Sequence, residues 1–202
     1  MKSEDYKVDV PEGKVGAYRI ERFTVDKHGS QMSFITGKGR GVSEGTYTRL
    51  MRGEDVVMSD TYDEVRDHHE AIWKAKGHCL VNGLGIGMVL QAMANKPEVT
   101  MVTAIEISPE VIELVGPHYL KRFPDKVEII QANAFEYQPP KNIRYGAVWH
   151  DIWGDMCEDN LPEMHKLHRK YGRRADWQGS WSRIRIELEK RRTADAWWRN
   201  ND

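Results

Sequence analysis

The stretch Leu80-Val-Asn-Gly83-Leu-Gly85-Ile-Gly87-Met88 holds the first residues whose spacing implies chemistry. A short apolar run enters glycines, and Met88, Val89, Ala92 and Met93 then recur at helical spacing. Such a turn leaves a strand and opens a helix. Gly83 permits the tight bend, Gly85 lets a ligand approach the backbone, and the helix N–H groups point at whatever sits above. Met88 stands where a dinucleotide fingerprint would place its third glycine, which leans toward a nucleoside without a pyrophosphate. Glu106 lies 23 residues beyond Gly83 and ends the next apolar run, 101–105. A carboxylate at that spacing can accept hydrogen bonds from both ribose hydroxyls. Asn133, with Ala134 beside it, follows a third run at 127–130 and can offer an acceptor and a donor to an adenine edge. Asp151 closes a fourth run at 147–149, where an acid faces the crevice of an open α/β sheet. It is the expected base or orienting group, with His150 and Asp155 in reserve. Strand neighbours point to opposite faces, so His150 and Asp151 cannot both line that crevice.

Three regions must position these residues. Residues 1–60 read as β-rich: 15–20 and 32–35 are short strand candidates, and 47–50 with 56–58 form a hairpin about Gly53. Residues 61–151 alternate helix and strand. Ser59-Asp60-Thr61 offers caps to a helix through Glu64, Val65, His68 and Ile72. Ser108-Pro109-Glu110 starts another through Val111, Leu114, Val115 and Tyr119, which Gly116-Pro117 should kink or interrupt. A β-α-β-α-β order implies parallel strands. Residues 152–202 read as helix with a break near 177–180, no strand, and five of the seven tryptophans: Trp153, Trp177, Trp181, Trp197 and Trp198. The fold expected is therefore α/β and Rossmann-like, a mostly parallel sheet with flanking helices, a small N-terminal β-rich region and a helical tail.

Composition fits a soluble globular chain, 40% hydrophobic and 30% charged, with no apolar run of membrane-spanning length and no signal peptide. Cys79 and Cys157 match no metal-ligand spacing and read as free thiols of a reducing cytoplasm. Net charge is −1, yet residues 165–192 carry ten Lys or Arg against three acids. That stretch could touch nucleic acid, although a solvated helical face is the plainer reading. The tryptophans could cover an open sheet edge within the chain or in a homo-oligomer.

Taken in order, these motifs resemble the class I S-adenosylmethionine-dependent methyltransferases, and within them the spermidine synthase-like branch. The matching text is 50–60, Asp63-Glu64, His69-Glu70, Gly83 to Gly87, 105–109, Asn133-Ala134 and 145–151, about half the chain. The resemblance implies S-adenosyl-L-methionine as cofactor and methyl transfer to a small-molecule acceptor. By position, Gly83, Gly85 and Gly87 would line its methionine and sugar side, Glu106 with Ile107 the ribose, and Asn133 with Ala134 the adenine. Asp151 would stand beside the reacting centre and His69 near the acceptor, with Asp155 on the acceptor side. Ile86 stands where spermidine synthases carry an aspartate for the transferred aminopropyl group, and Asp151 and Asp155 are four apart rather than three, which disfavours aminopropyl transfer. A chain that binds the cofactor without turning it over is the other reading.

Overall fold

A computed structural model describes residues 6–36 and 41–201, with side chains through residue 193. Two sheets organise it. The first is antiparallel, with β1 (Gly13–Val15), β2 (Tyr18–Val25), β3 (Gly45–Arg52) and β4 (Asp55–Ser59) paired in sequence order. The β3–β4 hairpin is the one expected. The run 15–20 is strand at both ends, Val15 in β1 and 18–20 in β2, interrupted by a two-residue turn across which Val15 pairs with Tyr18. Residues 32–35 are not a strand. They end helix α1 (Lys27–Thr36), because Asp26 accepts the Gly29 N–H at 2.7 Å and so caps a helix start.

Helix α2 (Tyr62–Lys74) leads into the second sheet. There β5 (Gly77–Asn82), α3 (Met88–Ala94), β6 (Val99–Glu106), α4 (Pro109–Arg122), β7 (Val127–Gln131) and β8 (Tyr145–His150) follow one another. The order is β7-β6-β5-β8-β9, where β9 is Ala175–Ser180, and every pair is parallel. Alternation along β5 splits the core. Cys79 and Val81 pack with α2, α3 and α4, whereas Leu80 faces Leu167 and Tyr171 of α5 (Leu161–Tyr171). The chain is thus an α/β protein of Rossmann-like build.

Two expectations fail here. The tail is not wholly helical: β9 (Ala175–Ser180) adds a fifth parallel strand beside β8 before α6 (Arg183–Asn201). Its sequence, Ala-Asp-Trp-Gln-Gly-Ser, is weak in β-formers, so the pairing with β8 sets its conformation. Pro117 does not end α4, which runs through it to Arg122; the first turn is fixed by Ser108, whose hydroxyl accepts the Val111 N–H. In the tail, Trp177 stacks on Trp149, Trp181 packs against the main core and Trp153 against the smaller clusters. The side chains of Trp197 and Trp198 lie outside the described residues. Among the described residues, no helix is long and apolar enough to cross a membrane.

Two buried histidines and a half-buried one give the fold a predictable acid response. Burial pushes His150 down to about 3 and His68 and His168 down to about 4. Below their ordinary value of 6.5 the unfolded chain takes up protons that the native state refuses. Stability therefore falls as pH drops from 6.5 through 4. The melting temperature should decline steeply across that window, and His150→Gln should flatten the decline.

Candidate active site

The strand ends converge on a cavity of about 610 Å³. Its floor is the turn after β5, flanked on one side by the ends of β6 and β7 and on the other by the end of β8. The β3–β4 hairpin roofs it through Val56, Val57 and Met58. At Gly83, with φ of +97°, a Cβ would collide with the Asp151 carbonyl oxygen, so only glycine lets the β5 and β8 ends close together. That closure continues the ladder, since the Asp151 N–H donates to the Asn82 carbonyl at 2.8 Å. At Gly85 a Cβ would strike the Met58 thioether, which also accepts the Ile86 N–H at 3.2 Å. Gly87 does not line the cavity: it caps α3 from below and packs against the Tyr119 ring. The Tyr119 hydroxyl donates to the Ile86 carbonyl at 2.9 Å, which anchors the turn to α4.

Glu106 reaches the turn as its spacing implies, in a different manner. One carboxylate oxygen accepts the Leu84 N–H at 2.9 Å; the other accepts those of Ile107 and Ser108 at 2.8 and 2.9 Å. A carboxylate offers about four acceptor sites, so one remains for a ligand hydroxyl rather than two. Ile107, 65% exposed, lies along the same wall. Asn133 and Ala134 complete it. The Asn133 amide oxygen accepts the Phe135 N–H at 2.9 Å, which leaves its amide nitrogen to donate.

Across the turn stands Asp151, its side chain 22% exposed, with His68 Nε2 at 3.6 Å from Oδ2. Burial pushes the Asp151 carboxyl up to about 7, with the Asp67 charge adding to it, and pushes His68 down to about 4. The Nδ1 of His68 is buried with no partner, and neither side chain makes a hydrogen bond among the described residues. An acid and an imidazole held this way form a proton-accepting pair short of its own partners.

Three expected residues fall elsewhere. His69 is exposed on the outer side of α2; Glu64 and His68, one turn apart on the inner side, line the cavity instead. Asp155 is exposed beyond the cavity, and its carbonyl accepts the Asn160 amide. His150 is fully buried on the opposite sheet face, held by Asn82 at 2.7 Å, so it is no base for this site. Sequence reading missed Glu163 and Trp181, which line the cavity from α5 and from just beyond β9; the Glu163 carboxylate accepts the Trp153 indole N–H at 2.9 Å. The basic stretch is largely engaged in the chain: Lys170 donates to the carbonyls of Ala134 and Phe135, Arg174 to those of Pro139 and Pro140, and Arg183 pairs with Glu187.

No family model and no curated protein sequence matches the chain. Solved structures do. It is similar to a putative caffeoyl-CoA O-methyltransferase from Staphylococcus aureus at 19% identity and a TM-score of 0.42, over 54% of this chain and 49% of that one. A dimethyladenosine transferase from Plasmodium falciparum matches at 19% identity and 0.42, over 54% and 37%. A coclaurine N-methyltransferase bound to N-methylheliamine and SAH matches at 18% and 0.38, over 50% and 30%. The match thus spans less than half the length of each of these three proteins.

Proposed function

We propose that the chain is a methyltransferase that uses S-adenosyl-L-methionine and methylates the nitrogen of a small cationic amine. The observation that supports this best is the Asp151–His68 pair, unpartnered at the cavity floor and facing Glu106 across the glycine turn. The residues present fit the cofactor. Glu106 keeps one acceptor site for a ribose hydroxyl, Ile107 offers an apolar face to the adenine, and the Asn133 amide can donate to its edge. A cavity of about 610 Å³ is of the size that takes such a molecule. When bound, S-adenosyl-L-methionine supplies a methyl group already activated by a sulfonium. The protein's remaining tasks are to align the acceptor, to exclude water and to accept a proton. Asp151, as carboxylate, takes one proton from the acceptor ammonium, which frees the nitrogen lone pair to bond the methyl carbon as the neutral thioether leaves. A base that titrates near 7 is matched to this task.

The lining supports the acceptor class. Glu64, Glu106, Asp151 and Glu163 face the cavity, and the described residues that line it include no Lys or Arg. Tyr18, Phe135, Trp153 and Trp181 add aromatic faces that favour a cation. Phosphate and acyl-CoA acceptors, which carry several negative charges, would meet net repulsion from these carboxylates. Isothermal titration should show S-adenosylhomocysteine binding, and methyl transfer should occur to diamines but not to phosphorylated or acyl-CoA acceptors. Glu163→Gln should raise KM for a diamine about tenfold, the loss of one charge-assisted contact, with kcat little changed. Tight cofactor binding without turnover on any amine would favour the non-catalytic reading.

A further inference from the structure

We infer that the end of the parallel sheet opposite the cavity is a binding surface for single-stranded nucleic acid. All five parallel strands start at that end. The segments that precede or open them, 74–76, 95–98, 124–126, 141–144 and 172–176, hold eight Lys or Arg against three acids, Glu98, Asp125 and Asp176. A chain whose net charge is −1 thus carries a surplus of five positive charges along one edge. Contacts between the segments make this one continuous row. The Lys126 ammonium donates to the Lys96 carbonyl at 2.7 Å, and Lys96 donates to the Trp73 and Ala75 carbonyls at 3.0 and 2.8 Å. Lys76 and Arg144 share Asp176, at 3.6 and 2.7 Å. Arg144 donates to the Arg173 carbonyl at 3.1 Å, and Arg174 to that of Pro140, beside Lys141, at 3.0 Å. Strands spaced about 4.8 Å apart give the row a length of about 19 Å. Only Arg173 and Arg174 belong to the basic stretch 165–192, so the topology assembles this surface rather than any one run of sequence.

Helix ends account for part of the row. Cations favour helix C-termini, and Lys96 sits on the last carbonyls of α2. That reading does not cover Lys141 and Arg173. Both are exposed, and neither side chain makes an ion pair or hydrogen bond among the described residues. Left beside Arg144 and Arg174, they add like charges that repel, which a bound polyanion would relieve. The class of polyanion follows from Trp73. It is 65% exposed at the same end of α2, with the Lys74 ammonium 4.6 Å from its ring centroid. An indole left in water among cations is a platform for an unpaired base, while the cations meet the phosphates. Bases inside a duplex have no free face to offer, and a run of acidic side chains has none at all. The cavity carboxylates lie at the other end of the same strands, so this surface is independent of the reaction proposed above.

Fluorescence anisotropy of a labelled uridine decanucleotide tests this on the full chain. The parent should bind it with a Kd of about 1–100 μM near physiological salt, and log K should fall against log salt with a slope of about −2 to −3, as for three or four phosphate contacts. The double variant Lys141→Glu/Arg173→Glu changes two exposed side chains. It should keep the parent's melting temperature, bind at least about tenfold more weakly and flatten the slope by about 1.4, the share of two phosphates. Trp73→Ala should weaken the decanucleotide about tenfold and leave unchanged the affinity for an abasic decamer of equal charge. No binding by the parent at about millimolar protein would overturn the surface. Affinity that the double variant retains would overturn its location. Equal affinity of the parent for the abasic decamer, for a duplex of the same length or for a polyglutamate decamer would overturn single-stranded nucleic acid as the ligand. The salt slope and these comparisons are read on the parent, so they stand whatever the stability of the variants.

Discussion

Asp151→Asn should lower methyl transfer by about 10²- to 10⁴-fold, the usual contribution of a positioned base, and leave S-adenosylhomocysteine affinity unchanged. Asparagine keeps the shape and cannot accept the proton. In the parent, kcat should rise with pH about a midpoint near 7, because burial holds the Asp151 carboxyl up to about 7 and only its ionised form is a base. The variant should lose that limb. Stability should move the other way. A carboxyl whose native value lies above its ordinary 3.8 binds more protons folded than unfolded between those values. Its contribution to stability therefore declines as pH rises from about 4 to 7 and stays lost above. Relieving a buried, weakly partnered carboxylate should raise the melting temperature of Asp151→Asn at pH 8. A purely structural Asp151 would give the reverse: lower stability and an unshifted pH profile. Rates of the variant within a few-fold of the parent would end the assignment.

The strand-and-glycine skeleton of the site was legible because the inner strands β5 and β8 are buried on both faces and the runs in β6 and β7 are plainly apolar too. All four runs became strands, each within a few residues of its expected bounds; Glu106 ends β6, and Asn133 and Asp151 follow β7 and β8. The failures have two physical sources. His69 was chosen by likeness to a motif, whereas the helical pattern through Glu64, Val65, His68 and Ile72 already placed His68 on the inner side. Periodicity, which reports burial, was the better guide. β9 carried no such signal. Gly179 and Gln178 are poor strand residues, and what makes a strand of them is the edge of β8 and the room that Trp149 needs above Gly179. That is tertiary information which no local pattern contains. Asp26 is a residue type that caps helices, so the start of α1 did carry a local signal, one the apolar run 32–35 does not show.

The glycine turn carries the other large effect. S-Adenosylhomocysteine should raise the melting temperature of the parent; Glu106→Ala should cut that rise by half or more, and Gly85→Asp should remove it. They act differently. Glu106 accepts three backbone N–H groups that shape the turn, so its loss should also lower the melting temperature of the free protein. Deleting the ligand's charge-assisted bond alone, worth about 1.5–3 kcal/mol, weakens binding about 10- to 100-fold. At a ligand concentration near 100 times the parent's Kd, that removes about 1.3 to 2.3 of the roughly 2.7 kcal/mol of linked stabilisation. Gly85→Asp leaves those N–H bonds alone. Its Cβ meets the Met58 thioether, and its residue must hold φ of +52°, so the roof lifts from the turn. If Glu106 served only the turn, Glu106→Ala would melt early yet keep the parent's rise with ligand. If the ligand lay elsewhere, both variants would. Loss of the rise in Gly85→Asp, where the carboxylate is untouched, is therefore what ties the ligand to this turn.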